Sequence, residues 1–321
     1  MIKRTQNHVA ESRFMLPLVV AYAIAVWLVS GLLVPTLPFT SSQLQHGAWA
    51  QFACFLVTAY LMVELNNSYA LIRIYSRTMS SSFLVLLCAG SFLFSSMGGA
   101  ILQLCVAGAC FTAFHCYQDK QAVGWAYYAF VCIGLASLVF VQILFFVPFF
   151  WLMMFFQLSS LSWRTFFASL VGLLTPYWFA IPLLLFQGQY EWPLNHFAAL
   201  ADFSCDYRLL TVNQLLLFIF VVALGITGTV HYWRKKSADN IRIRLLYDCF
   251  IYTWLLSTGF LILQPQHYDM LIRIIILNVS PLIAHFLSLT YTRVTNYAFY
   301  AICVVAFALT VFNLWMPSLT F

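Results

Sequence analysis

Charge is what this chain has least of: nine acidic and fifteen basic residues in 321, or 7%, against roughly a quarter in an ordinary soluble domain. With 63% of its residues hydrophobic, it cannot cover itself with a water-facing surface, whereas a chain in lipid exposes Leu and Phe on every side. It also lacks a P-loop, a GxSxG elbow, an HExxH motif and any pair of histidines at metal-ligand spacing on one helix, so nucleotide hydrolysis and zinc chemistry are not expected, and neither a cofactor nor a metal. The nine cysteines supply no CxxC pair, and all but Cys205 fall in or beside apolar segments, which makes them small core residues and not a disulfide framework. The net charge of +6 is scattered between apolar runs, so nucleic acid is not an expected partner. No acidic residue stands deep enough in an apolar run to begin a proton relay.

What is present is a succession of apolar stretches near the ~20 residues that a helix needs to cross the hydrocarbon core. They fall at 15–34, 48–65, 82–97, 99–117, 122–138, 140–158, 166–187, 211–232, 246–263, 269–290 and 296–316. The expected fold is therefore an all-α transmembrane bundle of about eleven spans, forming a single membrane domain over residues 1–321. Gly98 and Gly99 are placed at a tight turn inside the long run from Ser81 to Gln118, with a re-entrant hairpin as the alternative. The first span reads as an uncleaved anchor, because its apolar run is too long for a signal peptide. Thirteen of the fifteen lysines and arginines fall on one side of this arrangement, with Arg208 and Arg273 on the other. The positive-inside rule then puts the N-terminus in the cytoplasm and the C-terminus outside.

The side that this rule calls outer carries the unusual polar residues. Its long loop, from Gly188 to Leu210, holds Glu191, His196, Asp202, Asp206 and Arg208, and the next loop adds His267 and Asp269. A short amphipathic helix over Asn195–Asp206 would put Asp202 and Asp206 four residues apart on one face. A carboxylate beside a histidine and an arginine suits proton transfer from a sugar hydroxyl while a cation steadies a phosphate leaving group. Asp202, Asp206, His196 and Arg273 are thus the candidate catalytic residues, with Arg208 and His267 as substrate ligands. Arg273 stands about one turn inside the tenth span, where a charge needs a cavity or a partner, and Asp269 is four residues earlier. His285 lies ~18 Å farther along that helix, too far to share a site with Arg273, and Pro281 stands between them. On the inner side, a helical reading of ELNNSYALIRIYSRT aligns Tyr69, Arg73 and Arg77 as a stripe for an anionic head group or a pyrophosphate.

Two segments carry a resemblance. VELNNSYALIRIYSRT, and the stretch from Gly134 to Trp178 with its SWR-to-GLLTPYW pattern, resemble an uncharacterised family of bacterial multi-pass inner-membrane proteins over about the first 190 residues. The resemblance implies an envelope role without an activity. The layout is also similar to polysaccharide polymerases, which rely on outer-face Arg and His residues, and to type C fold glycosyltransferases, which use polyprenyl-phosphate sugars at the outer face and carry an acidic residue in the first outer loop. Here that loop, TLPFTSSQLQHGA, has no Asp or Glu, and the role would pass to Asp202 or Asp206. The expected function is envelope glycan or glycolipid assembly in the bacterial inner membrane, acting on a lipid-linked saccharide from the outer face, with membrane lipids as partners. A transporter or lipid flippase, which the proline-broken spans favour, and a non-catalytic scaffold are the alternatives.

Overall fold

A computed structural model describes residues 5–33, 42–203 and 207–315. Every regular element among them is helical. The helices are α1 (Thr5–Glu11), α2 (Met15–Leu33), α3 (Ser42–Tyr69), α4 (Thr78–Ala89), α5 (Met97–His115), α6 (Val123–Val139), α7 (Val147–Phe156), α8 (Trp163–Phe186), α9 (Trp192–Ala198), α10 (Val212–Lys235), α11 (Ile241–Leu263), α12 (Tyr268–Leu289) and α13 (Arg293–Trp315).

Among the described residues, seven helical stretches are long and apolar enough to cross a membrane, or eight if α1 and α2, bent by 86°, count as one. The architecture is that of a multi-pass helical membrane protein. Three further apolar helical segments, Thr78–Ala89, Val123–Val139 and Val141–Phe156, are shorter than these seven, so the expected count of about eleven spans is not reached among the described residues. At a rise of ~1.5 Å per residue, a helix of 12 residues extends about 18 Å, well short of a ~30 Å hydrocarbon core. The break expected at Gly98–Gly99 falls earlier: α4 stops at Gly90, a 3-10 turn follows over Ser91–Ser95, and the glycine pair lies in the first turn of α5. A Cβ on Gly90 would stand 2.6 Å from the tip of the Leu217 side chain, which would have to shift to admit it. Pro148 opens α7 after a second 3-10 turn, Val141–Phe146, a first-turn position where the missing N–H costs no helical hydrogen bond.

The chain forms two compact units. The first comprises residues 1–97 and 206–321, and α12 is its axis. That helix is walled by α4, α10 and α11, and its side chains from Leu271 to His285 are all buried. Its C-terminal end is tied by α1: the Asn7 side-chain amide donates to the Thr290 carbonyl at 3.0 Å and that of Gln6 to the Thr290 hydroxyl at 2.8 Å. The second unit comprises residues 98–205 and is built on the pairing of α6 with α8. The two backbones approach closely at Gly172, where a Cβ would lie 2.5 Å from the Tyr127 carbonyl oxygen. Small residues at such crossings let helices associate in lipid by van der Waals contact.

Candidate functional site: a basic cavity at the end of the axial helix

The linker between α3 and α4 does not continue the helix. Ala70 takes a left-handed φ of +49° and ends α3 at Tyr69, so Tyr69, Arg73 and Arg77 share no helical face, contrary to the expectation. Asn66 holds the linker instead: its carbonyl oxygen accepts the Ile72 N–H at 3.0 Å and its amide donates to the Ser76 carbonyl at 3.2 Å. A side-chain amide replaces the missing backbone partners. The two arginines then part company. Arg73 extends to Asp239, with Nε and Nη2 both 2.6 Å from Oδ1. Arg77 donates Nε to the Tyr75 hydroxyl at 3.1 Å and enters a separate groove beside Glu64 and Asn67.

Asp239 follows the 3-10 turn Lys236–Ala238 and precedes α11. Its side chain is fully buried, and its second oxygen, Oδ2, lies 3.4 Å from His285 Nε2 on α12 without the alignment of a hydrogen bond. Burial alone raises the carboxyl pKa, but interactions with His285 and with Arg73 outweigh it and hold the group below its ordinary value. The His285 ring packs edge-on to Tyr247 and Tyr232, and its centroid lies 5.5 Å from that of His231.

These groups open on a cavity of about 840 Å³. Its cationic wall is Arg73, Arg234 and Lys235; His231 and His285 form another side, and Thr290, Tyr291, Thr292 and Thr295 supply hydroxyls. Arg73 is engaged by Asp239, whereas Arg234 and Lys235 have no carboxylate partner among the described residues. Buried His231 Nε2 and both ring nitrogens of His285 also lack a hydrogen-bond partner there. Buried polar atoms are normally satisfied, so imidazoles left open beside two exposed cations mark a place where a ligand with acceptor oxygens gains several bonds. Among the described residues, no group of three His, Cys, Asp or Glu side chains is arranged to hold a metal ion.

The expected outer-face residues are distributed between the two units. In the second, α9 covers Trp192–Ala198 and is followed by a 3-10 turn over Ala199–Ala201, so the helix expected over Asn195–Asp206 stops before Asp202, which is extended and exposed. Pro193 in the first turn fixes the earlier start. His196 stacks on Trp192 at 4.4 Å, and its Nε2 is 3.4 Å from the Tyr177 hydroxyl. Burial lowers the His196 pKa, with hydrogen bonding at Ser137 opposing. In the first unit, Asp206 lies outside the described residues. Arg208 is exposed on the turn Tyr207–Leu209, which packs against the turn Pro265–His267 carrying His267.

Arg273 is wholly buried. Its Nε donates to the Asp269 carbonyl at 3.2 Å, its Nη2 is 3.4 Å from Asp269 Oδ1 and also donates to the Leu93 carbonyl, and its guanidinium lies over the Phe55 ring. The expected pairing with Asp269 is present, and the extra bond to Leu93 makes Arg273 a bracket between α12 and the turn after α4. Asp239 and His231 were not among the residues singled out from the sequence. The signal for Asp239 was its standing as the one acid in RKKSADNIRIR.

Set against protein-family models, curated proteins and solved structures, the chain matches none.

Proposed function

We propose that this protein binds the phosphate of an anionic amphiphile, of the class of lipid-linked saccharides, in the basic cavity, and serves envelope glycan or glycolipid assembly in a bacterial inner membrane. The observation that carries the reading is the pairing of two uncompensated cations, Arg234 and Lys235, with the open imidazoles of His231 and His285 in one cavity. Arginine and lysine hold phosphate oxygens, and a neutral imidazole donates one further bond. The reading includes about eleven membrane spans, the N-terminus in the cytoplasm and the C-terminus outside, supported by the thirteen-to-two distribution of lysine and arginine. In that orientation the cavity opens to the cytoplasmic leaflet, and Asp202, Arg208 and His267 remain the polar residues of the opposite face.

A second reading, a flippase for the same amphiphile, has one observation in its favour. Along α12, the buried Arg273 Nη1, Asn278 Oδ1 and His285 Nδ1 have no hydrogen-bond partner among the described residues, a polar line over ~18 Å of the axial helix. It predicts translocation of the lipid without chemical change.

The test is binding of a polyprenyl monophosphate to the full chain in phosphatidylcholine nanodiscs. Reversing both free cations, Arg234→Glu with Lys235→Glu, should weaken binding at least about tenfold, and higher salt should weaken the wild type in the same direction, because exposed charges are screened. Equal affinity in the variant and the wild type would remove the cavity as the binding site.

A further inference from the structure

A second groove lies in the same unit, walled by α2 and α3 and closed by the start of α4. Leu56, Tyr60, Val63 and Asn67 succeed one another at helical spacing along one face of α3, with Leu16 and Val20 of α2 opposite. From Leu56 to Asn67 the groove follows eleven residues of helix, ~16 Å, which is close to half of a ~30 Å hydrocarbon core. Its volume is about 430 Å³. The lining is apolar except toward the end of α3, where Glu64, Asn67 and Arg77 gather.

Those two charges are not spent on each other. Among the described residues, Arg77 makes no ion pair with Glu64; it donates Nε to Tyr75, and both Nη groups lack a partner. Among the described residues, Glu64 accepts only the Ser68 hydroxyl, at 3.2 Å, and makes no ion pair. A cation and an anion standing unpaired at the mouth of a one-leaflet apolar groove complement a head group that carries both signs. An anionic lipid would satisfy Arg77 and set its phosphate beside the Glu64 carboxylate, at the cost of like-charge repulsion.

We propose that this groove holds one zwitterionic glycerophospholipid with a primary-ammonium head group, its phosphate on Arg77, its ammonium on Glu64 and one acyl chain along Leu56, Val63 and Val20. The ammonium matters because its N–H groups donate to a carboxylate, which a trimethylated head cannot do. Ser80 sets the width of the groove by donating to the Ala59 carbonyl at 2.8 Å, which ties α4 to α3.

The experiment reconstitutes the full chain into vesicles of phosphatidylethanolamine and phosphatidylcholine in equal amounts, strips the lipid stepwise with detergent and quantifies what stays by mass spectrometry. Neither lipid carries net charge, so the basic cavity proposed for phosphate-bearing amphiphiles does not bias the result, and failure here leaves that reading untouched. The wild type should retain phosphatidylethanolamine over phosphatidylcholine about fivefold. Glu64→Gln, which keeps the shape, should bring the ratio to about one, and Arg77→Gln should lose both lipids. Retention in the feed ratio by the wild type, or an unchanged preference in Glu64→Gln, would overturn the proposal.

Discussion

Replacing Asp239 with alanine is expected to remove about 2–4 kcal/mol of stability, near the cost of breaking a buried ion pair, and to loosen the linker between α3 and α4. Among the described residues, the carboxylate is what joins Arg73 to His285, and its side chain is fully buried. Truncation strands the guanidinium beside an imidazole and leaves the linker held to α11 by the long Tyr247 hydroxyl contact to the Leu71 carbonyl, 3.5 Å. The lower end of that range is the sounder expectation, because the Arg73 side chain is 40% exposed and water can take over part of its solvation. Asn in place of Asp keeps the shape and one acceptor, and should cost about half as much. The pH dependence has a definite sign. The Asp239 pKa is held below its ordinary 3.8 in the folded chain, so its contribution is complete above that value and disappears as the pH falls through the folded-state pKa. Thermal unfolding in detergent between pH 2 and 7 checks both points: the wild type should lose stability below about pH 4 more steeply than Asp239→Asn. Parallel curves would mean that the carboxylate is not charged in this contact.

Arg273→Ala should be at least as damaging, about 3–5 kcal/mol, through a different part of the fold. The arginine fills a site with no solvent exposure, pairs with Asp269 and closes the Leu93 carbonyl. Removing it leaves a hole against Phe55, a partly exposed carboxylate without its cation, and a Leu93 carbonyl whose remaining donor is the Gln51 amide at 3.5 Å. Arg273→Met separates these causes, since it refills the volume without restoring the bonds, and should recover no more than about half of the loss. Arg273→Lys should also fail, because one ammonium on a flexible stem does not reproduce the guanidinium fork that serves two acceptors. Yield of monodisperse protein and its melting temperature report the outcome. A variant as stable as the wild type would show that Arg273 is spare in the fold and would return it to the list of residues kept for a substrate.

The helices were legible wherever a long apolar run met no internal obstacle: 211–232, 246–263 and 269–290 match α10, α11 and α12 to within a few residues. Periodicity failed where a local event interrupts the run. Gly90 stops α4 in the middle of an apolar stretch, and Ala70 stops α3 in a segment whose spacing otherwise favours a helix carrying Tyr69, Arg73 and Arg77. An alanine at positive φ leaves no mark in a sequence, because it is the side chain of Asn66 and the pull of Asp239 on Arg73 that stabilise it. The basic cavity was hidden for a related reason. Arg73 meets Asp239 across 166 positions in the chain, and His285 joins them from a third element, so no local motif contains the cluster. His285 stands too far along its helix to share a site with Arg273, and only the folded chain places its ring beside Asp239 and at the cavity wall. Arg273 with Asp269 was readable because the two are four residues apart on one helix.

The most direct measurement compares three probes on the wild-type chain in neutral nanodiscs: a polyprenyl monophosphate, the matching polyprenyl pyrophosphate and the polyprenol without phosphate. If the cavity formed by Arg73, Arg234, Lys235, His231 and His285 takes the phosphate, both phosphorylated probes bind at least about tenfold more tightly than the alcohol, a difference of ~1.4 kcal/mol or more. Equal binding of all three would mean that the chain is held only by the hydrocarbon tail, and would contradict the account.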